Sequence, residues 1–595
     1  VLVAPCARAP APPGSPPEER TPPAPASAPQ PAPAPTAPGA GTDAPIAAAE
    51  TPRRPLGGGG ARSVSGRFGA VTSAEANATR AGVGVLEAGG NAVDAAVATA
   101  AALAVTHPSA GNLGGGGFML VRPPGGPTSA IDFRENAPGS LTRPDFDRMI
   151  AAKGRGPAAI GVPGSVAGLL LAHRRFGKLS RERVFQPAIV LARGGHVLGR
   201  HQAALIAASW QPLRADPAAS KIFGTPRGTP LPAGTRLLQS DLAGTLERVA
   251  ALGEAGFYAG ATAQAVTSAS GGRISQADLA AYQARFRDPL AVRYRGYDIE
   301  TMPAPSAGGP ALAGMLAAFE ALDPSGSAAE DIADLHRFLE VGRRAQAERR
   351  FAITDPDARA PAERDAALER LLDPQLLLRV PIDPEHATPS ARVHALFDEV
   401  AKEAEHTTHL SVVDASGTVV ALTTTLSASF GSRVVAPGTG VVLGNAVASF
   451  SSVGDNQPAP GRRTTSSMAP TLVLAGGAPV LVLGTPGGDT IPSTLALLVR
   501  RLIDRALPLD AAVDAPRLHQ GFVPDEARFE PARPPAPELL RGLRALGHRL
   551  RPGRGTQGDA NCLFLSEGVA YAYADPREAG GLALSARIVT PSPAP

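Results

Sequence analysis

The sequence predicts an α/β (α+β) fold in which two β-sheets lie face to face between layers of helix. Two observations carry this. A helix-rich stretch from about residue 66 is followed, after about residue 405, by a strand-rich one. The helical stretch also contains a segment that is apolar almost all round, which must be buried on every side. The chain has 595 residues, 44% of them apolar, so a core of the required size can be built.

The ordered part begins near Gly66. Ser73 to Glu87 has helical spacing and stops at Gly89-Gly90, residues suited to a helix C-terminus. Asn91 caps a second helix, Ala92 to Val105, whose alanines permit close packing and which stops before Pro108. Gly114 to Gly117 imply backbone held where no side chain fits. Phe118–Arg122 and Ser129–Phe133 make a hairpin around Pro123-Pro-Gly-Gly-Pro127. Residues 164–350 read as mostly helical, with apolar spacing in Ser165–Phe176 and Leu335–Phe351, and one strand, Ala291–Met302. Then the pattern changes. Thr408–Asp414 and Thr418–Leu426 are rich in β-branched residues and flank the turn Ala415-Ser-Gly417. Further strands are read at Gly440–Leu443, Thr471–Leu474, Val480–Gly484, Cys562–Leu565 and Val569–Tyr573, with a helix over Ser493–Ala506.

Composition removes several function classes. Two cysteines, Cys6 and Cys562, cannot make a disulfide scaffold or a cysteine metal site. A net charge of +4 over this length gives no reason to expect nucleic acid. The eleven histidines show no metal spacing, and the glycine run at 114–117 matches no phosphate-binding loop. No metal or cofactor is expected. No apolar run reaches the ~20 residues a membrane span needs.

Residues 1–60 read differently from the rest. Ala11 to Pro55 is dominated by Pro and Ala and cannot bury enough apolar surface to fold. Val1-Leu-Val-Ala-Pro-Cys6 resembles the end of a signal sequence at a lipoprotein cleavage box, which would lipidate Cys6. The alternative is an ordinary disordered leader. Either way the expectation is an exported protein of the periplasm or cell envelope, with a possible lipid anchor.

The informative chemistry lies at Glu405-His-Thr-Thr-His-Leu-Ser-Val-Val-Asp414. Together with Gly89–Met119, Asp132-Phe-Arg-Glu-Asn-Ala-Pro138, Met302-Pro-Ala-Pro-Ser-Ala-Gly-Gly309, Ser466-Ser-Met-Ala-Pro-Thr471, Gly484-Thr-Pro-Gly-Gly488 and Val513-Asp-Ala-Pro-Arg517, it resembles the γ-glutamyltransferases, also called glutathione hydrolases. The resemblance spans nearly the whole chain after residue 66. It implies a four-layer αββα sandwich of the N-terminal-nucleophile hydrolase type. It also implies self-cleavage between His406 and Thr407 into a large subunit, 61–406, and a small one, 407–595, which remain a heterodimer.

The chemistry such a cut provides follows from first principles. A threonine hydroxyl is a weak nucleophile without a base beside it. Freeing the α-amine of Thr407 supplies one, with a pKa of about 8. The resemblance makes Thr407 the nucleophile, which could otherwise be a plain strand-edge threonine. It makes Thr425 the hydroxyl that bonds it. It places the oxyanion hole at Gly487 and Gly488, which could otherwise be a tight turn. Arg134 would clamp the substrate α-carboxylate, a role suited to a two-pronged guanidinium, or would only pair with Asp132 or Glu135. Ser466 and Ser467 would contact the same carboxylate, or serve as turn and cap residues.

One part of the pattern departs. The positions implied to grip the substrate α-ammonium are here Ser427, Ala446 and Ser449, none of them a carboxylate. An ammonium without an anionic partner is costly to bury. Asp455 or Asp489, in neighbouring loops, could supply the charge. The Ser451–Ser466 loop also reads as short, leaving the pocket open. The main expectation is cleavage of γ-glutamyl amides such as glutathione, with the acyl group passing to water or to an amino-acid or peptide acceptor. The alternatives are a glutaryl-amide (cephalosporin-type) acylase, a poly-γ-glutamate depolymerase, or an inactive envelope-binding relative.

Overall fold

The computed structural model describes residues 62–67, 69–326, 329–394, 406–451 and 455–587. The expected leader, residues 1–60 with Cys6, lies outside the described residues. Among those described, no helix is long and apolar enough to cross a membrane.

Two seven-stranded antiparallel sheets form the centre. The first runs, in spatial order, Leu582–Ser585, Ala70–Ser73, His406–Val413, Val419–Ser427, Gly116–Arg122, Ser129–Asp132 and Arg285–Arg287. The second runs Ser63–Arg67, Val569–Ala574, Asn561–Ser566, Ala478–Leu483, Thr471–Ala475, Tyr297–Thr301 and Leu290–Tyr294. Each sheet therefore takes strands from both sides of the expected cleavage point, so the two segments share one core.

Period-2 alternation in the two middle strands of the first sheet divides that core. Leu410, Val412, Val420 and Leu422 pack with the helices Ala76–Glu87, Ala92–Thr106, Ser165–Phe176 and Arg181–Gly194. Val413, Val419 and Ala421 face the other way, into the cluster formed with the second sheet and the helices Gly308–Leu322, Ile332–Ala352 and Ile491–Ile503. The all-apolar helix runs Ala92–Thr106 with every residue buried, and its capping box joins Asn91 to Asp94. Asp414 accepts the Ala92 N–H at 2.9 Å and also closes the hairpin turn after its own strand, tying this helix to the first sheet.

Several elements differ from the sequence reading. The expected single strand Ala291–Met302 is a hairpin, Leu290–Tyr294 and Tyr297–Thr301, turning at Arg295-Gly296 where both φ angles are positive. The two β-branched arms read as one run because the turn is only two residues long. Ser73 ends a strand, and the first helix starts at Ala76 with Glu75 as its cap. Order begins before Gly66, which lies inside Ser63–Arg67. A small sheet, Leu518–Gln520 with Ala527–Phe529 and Leu550–Pro552, was not anticipated.

The glycine-run expectation holds in detail. A Cβ at Gly115 would sit 2.2 Å from the Thr425 carbonyl oxygen, and one at Gly117 would sit 2.5 Å from that of Thr423. Between the sheets lies a polar layer. His409 bonds Thr423 and Ser411 at 2.8 and 3.0 Å, and Ser411 donates to the Asn561 carbonyl at 2.8 Å. Burial pushes the His409 pKa down to about 3, so the ring is neutral and bridges as one donor and one acceptor. Gly484 of the second sheet's exit lies against this ring, where a Cβ would come within 2.1 Å of it. Gly484→Ala is therefore expected to destabilise the protein by roughly 1–3 kcal/mol or more, read as a lower midpoint in urea. An unchanged midpoint would mean the two sheets do not meet through His409.

Candidate active site

Thr407 is the second residue of the strand His406–Val413 and stands opposite Thr425. Alternation puts it on the same face as His409 and Ser411, toward the second sheet. The pairing slips between His406 and Thr407, so that His406 meets Ser427 while Thr407 meets Thr425. Such an irregularity re-aims side chains at a strand end. Here it brings three groups together. Thr407 Oγ1 donates to Thr425 Oγ1 at 3.2 Å, and Thr425 Oγ1 donates to the carbonyl oxygen of His406 at 2.7 Å. The Ser427 N–H donates to Thr425 Oγ1 at 2.8 Å, completing that hydroxyl's bonding. Ser427 accepts this place at φ +71°, in the left-handed region that costs a non-glycine residue about 1 kcal/mol or more.

A small cavity of about 30 Å³ touches Thr407 and gathers most of the expected site: Arg134, Thr425, Ser427, Ser449, Ser466, Ser467 and Gly488. Thr465 and Ile491 complete its wall. Gly487 and Gly488 adopt φ +131° and +60° between the strand Ala478–Leu483 and the helix Ile491–Ile503. A Cβ on Gly487 would sit 2.5 Å from Thr490 Oγ1. Only glycine fits both the angle and the space.

Arg134 is 1% exposed and held on several sides. Its Nη1 pairs with Glu135 at 2.6 Å, and its Nη2 donates to Thr464 Oγ1 at 2.8 Å. Burial raises the Glu135 pKa, opposed by Arg134. The local ion pair and the place in the pocket wall thus coexist. Ser466 Oγ accepts from the Met468 N–H at 3.2 Å, the turn role, while also lining the pocket. Ser467 Oγ accepts from Arg349. His406, on the other side of the bond, is neutral: burial, then Arg433 and His201, push its pKa down to about 4.

Two expectations fail. Neither Asp455 nor Asp489 replaces the missing acid. Asp455 pairs with Arg359. Burial would raise the Asp489 pKa, but His519 at 3.6 Å and then Arg528 at 2.5 Å overcome it and hold the carboxyl well below the usual range. Ala446 is fully buried in the turn Ala446–Ser449 and lines neither the catalytic cavity nor the one beside it. The sequence reading also missed Asn456, Lys153 and Arg349, which line the adjoining cavity. Nothing in their local sequence marks them. Among the described residues no group of three or more His, Cys, Asp or Glu side chains could hold a metal ion.

Residues 78–585 match the model of the gamma-glutamyltranspeptidase family. The chain belongs to that family. It is 36% identical over 547 residues to a glutathione hydrolase proenzyme of Escherichia coli (strain K12), covering 87% of this chain and 92% of the relative. It is 34% identical to an acylase ACY 1 proenzyme of Pseudomonas sp. (strain SE83), covering 84% and 90%. In fold it resembles the cephalosporin acylase of Bacillus halodurans, with a TM-score of 0.76 at 24% identity over 89% of this chain and 97% of that one. The Escherichia coli and Pseudomonas relatives are both named as proenzymes.

Thr407→Ala should leave the full-length chain intact on a denaturing gel. Thr425→Val removes the donor to the His406 carbonyl and should slow processing by roughly 10²–10³-fold, with Thr425→Ser restoring most of it. A split at 406–407 in Thr407→Ala, or a Val variant that processes at the normal rate, would contradict this geometry.

Proposed function

We propose that the protein is a self-processing N-terminal-threonine hydrolase and transferase acting on γ-glutamyl amides. The observation that carries this is the chain of bonds from Thr407 Oγ1 through Thr425 Oγ1 to the His406 carbonyl. In the precursor, Thr407 Oγ1 attacks the carbonyl carbon of His406. Negative charge develops on the very oxygen that Thr425 already bonds, so the stabilising dipole is in place before the reaction. The peptide bond becomes an ester, and water releases it. The cut leaves a large segment that ends at His406 and folds over residues 61–406, and a small segment 407–595, which stay together through their interleaved sheets.

In the mature enzyme the freed α-amine takes the proton of Thr407 Oγ1 as that oxygen attacks the substrate amide. Gly487 and Gly488 offer backbone N–H groups to the oxyanion. Arg134, Ser466 and Ser467 hold the α-carboxylate. The leaving amine takes the proton, and water or an amino-acid or peptide acceptor then removes the acyl group from Thr407. Because the leader resembles a lipoprotein-type signal, the reading also places the enzyme in the periplasm or cell envelope, anchored through Cys6.

A second reading, a glutaryl-amide acylase, is favoured by one observation: among the described residues, no carboxylate lines the cavity at Thr407. The test compares processed protein on γ-glutamyl-anilide and glutaryl-anilide, alongside glutathione. We expect release of aniline from the γ-glutamyl compound, lost in Thr407→Ala. A tenfold or greater preference for the glutaryl compound would replace the first reading with the second.

A further inference from the structure

Asp489 follows Gly488 directly and lines neither cavity at the site, yet its side chain and its backbone are both tied down. Arg528 donates to its carboxylate at 2.5 Å. His519, fully buried, brings Nε2 to 3.6 Å from the same oxygen, and that nitrogen has no hydrogen-bond partner among the described residues. The other ring nitrogen, Nδ1, bonds Ser493 Oγ at 2.9 Å. The ring proton therefore belongs on Nε2, since a bare lone pair there would face a carboxylate. His519 and Arg528 come from the small sheet, on Leu518–Gln520 and Ala527–Phe529, and Ser493 from the helix into which the turn leads. The Asp489 carbonyl accepts from Gln346 Nε2 at 2.9 Å. Gln346 Oε1 in turn accepts from Arg349 Nε at 2.6 Å, and Arg349 donates to Ser467 Oγ. Two residues of the helix Ile332–Ala352 thus join the turn at Gly487–Asp489 to a serine on the wall of the catalytic cavity.

Such ties matter because glycine has the freest backbone of any residue, and an N–H stabilises a developing oxyanion strongly only when it is aimed before the reaction. The Gly488 N–H shares a peptide plane with the Gly487 carbonyl. Thr490 holds that carbonyl through its N–H at 3.2 Å and its Oγ1 at 2.9 Å. This hold is internal to the turn. Asp489, between Gly488 and Thr490, ties the turn to its surroundings: to the small sheet through its carboxylate and to the long helix through its carbonyl. Arg528 also balances a charge that would otherwise oppose an anion forming nearby.

We propose that Asp489 is a positioning residue for the oxyanion turn. Held at both its carboxylate and its carbonyl, it keeps the Gly488 N–H aimed at the reacting centre before substrate arrives. Through Gln346 and Arg349 it links that aim to Ser467, which receives the substrate carboxylate. The proposal rests on the reading of Gly487 and Gly488 as oxyanion donors in the mature enzyme and extends it to a residue the substrate does not touch. In processing, the oxyanion is held by Thr425 instead, so the two reactions respond differently to a change at Asp489.

The test follows both reactions in full-length protein: cleavage at 406–407 on a denaturing gel, and turnover by processed enzyme of γ-glutamyl-anilide or glutaryl-anilide, whichever is cleaved faster. Asp489→Ala should process within about twofold of the unsubstituted rate and lose kcat by about ten- to a hundredfold, with KM changed by less than about threefold. Asp489→Asn keeps the shape without the charge and should fall between. Arg528→Met should lower kcat by about tenfold, and Arg528→Lys should restore it to within about threefold. Unchanged kcat in Asp489→Ala would overturn the proposal. So would a rise in KM alone, which would set Asp489 against the substrate, and so would an equal loss of processing and turnover, which would make it a residue of the fold. Cleavage of glutaryl-anilide alone would sink the γ-glutamyl reading, and the same kcat comparison would still decide this proposal. No turnover of either compound by the unsubstituted protein would refute the acyl-transfer account and this inference with it.

Discussion

The Thr425 hydroxyl is the hinge of this molecule's chemistry. It has one proton and two lone pairs, and all are committed: the proton to the His406 carbonyl, the lone pairs to Thr407 Oγ1 and the Ser427 N–H. A hydroxyl so placed does two things at once. It orients the oxygen that must attack, and it sets a positive dipole on the carbonyl that must be attacked. Because the site is buried, with Thr407 8% exposed and Thr425 2%, water does not compete for either bond.

Holding that hydroxyl in place requires much of the fold. Thr425 lies on a strand buried along its whole length, between His406–Val413 and Gly116–Arg122. The glycines opposite it let the third strand approach its carbonyl closely, where any side chain would push the strands apart. The polar His409–Ser411–Asn561 layer then fixes the distance between the two sheets, and with it the distance from Thr407 to the loop at Gly487-Gly488. The interleaving of strands from both sides of residue 406 explains how a chain can be cut there and still hold together. No strand loses its neighbours when one peptide bond breaks.

Much of this was legible in the sequence, for identifiable reasons. The apolar helix Ala92–Thr106, the paired strands around Asp414–Thr418 and the glycine run announce themselves through local pattern. Thr407, Thr425, Arg134, Ser466, Ser467 and Gly488 were all expected at one site, and one cavity gathers them. What local pattern could not give was long-range. The two-residue turn at Arg295-Gly296 was hidden between two β-branched arms. The ties of Asp455 and Asp489 to arginines depend on partners far away in the chain, so their unavailability to the pocket could not be read from their own loops.

The charge around the site now bears on substrate as much as on mechanism. Arg134, paired with Glu135, lines the inner pocket, and Lys153, Arg349 and Arg350 lie on the wall of the outer cavity. The central claim, however, concerns Thr407: one residue is product of the cleavage and nucleophile of the reaction. The most direct measurement is an acid quench of processed enzyme during turnover of γ-glutamyl-anilide, followed by mass spectrometry of the small subunit's peptides. The account predicts a γ-glutamyl ester on the peptide that begins with Thr407 as its free N-terminus. An acyl group on another residue, or on a chain still joined at 406–407, would contradict it.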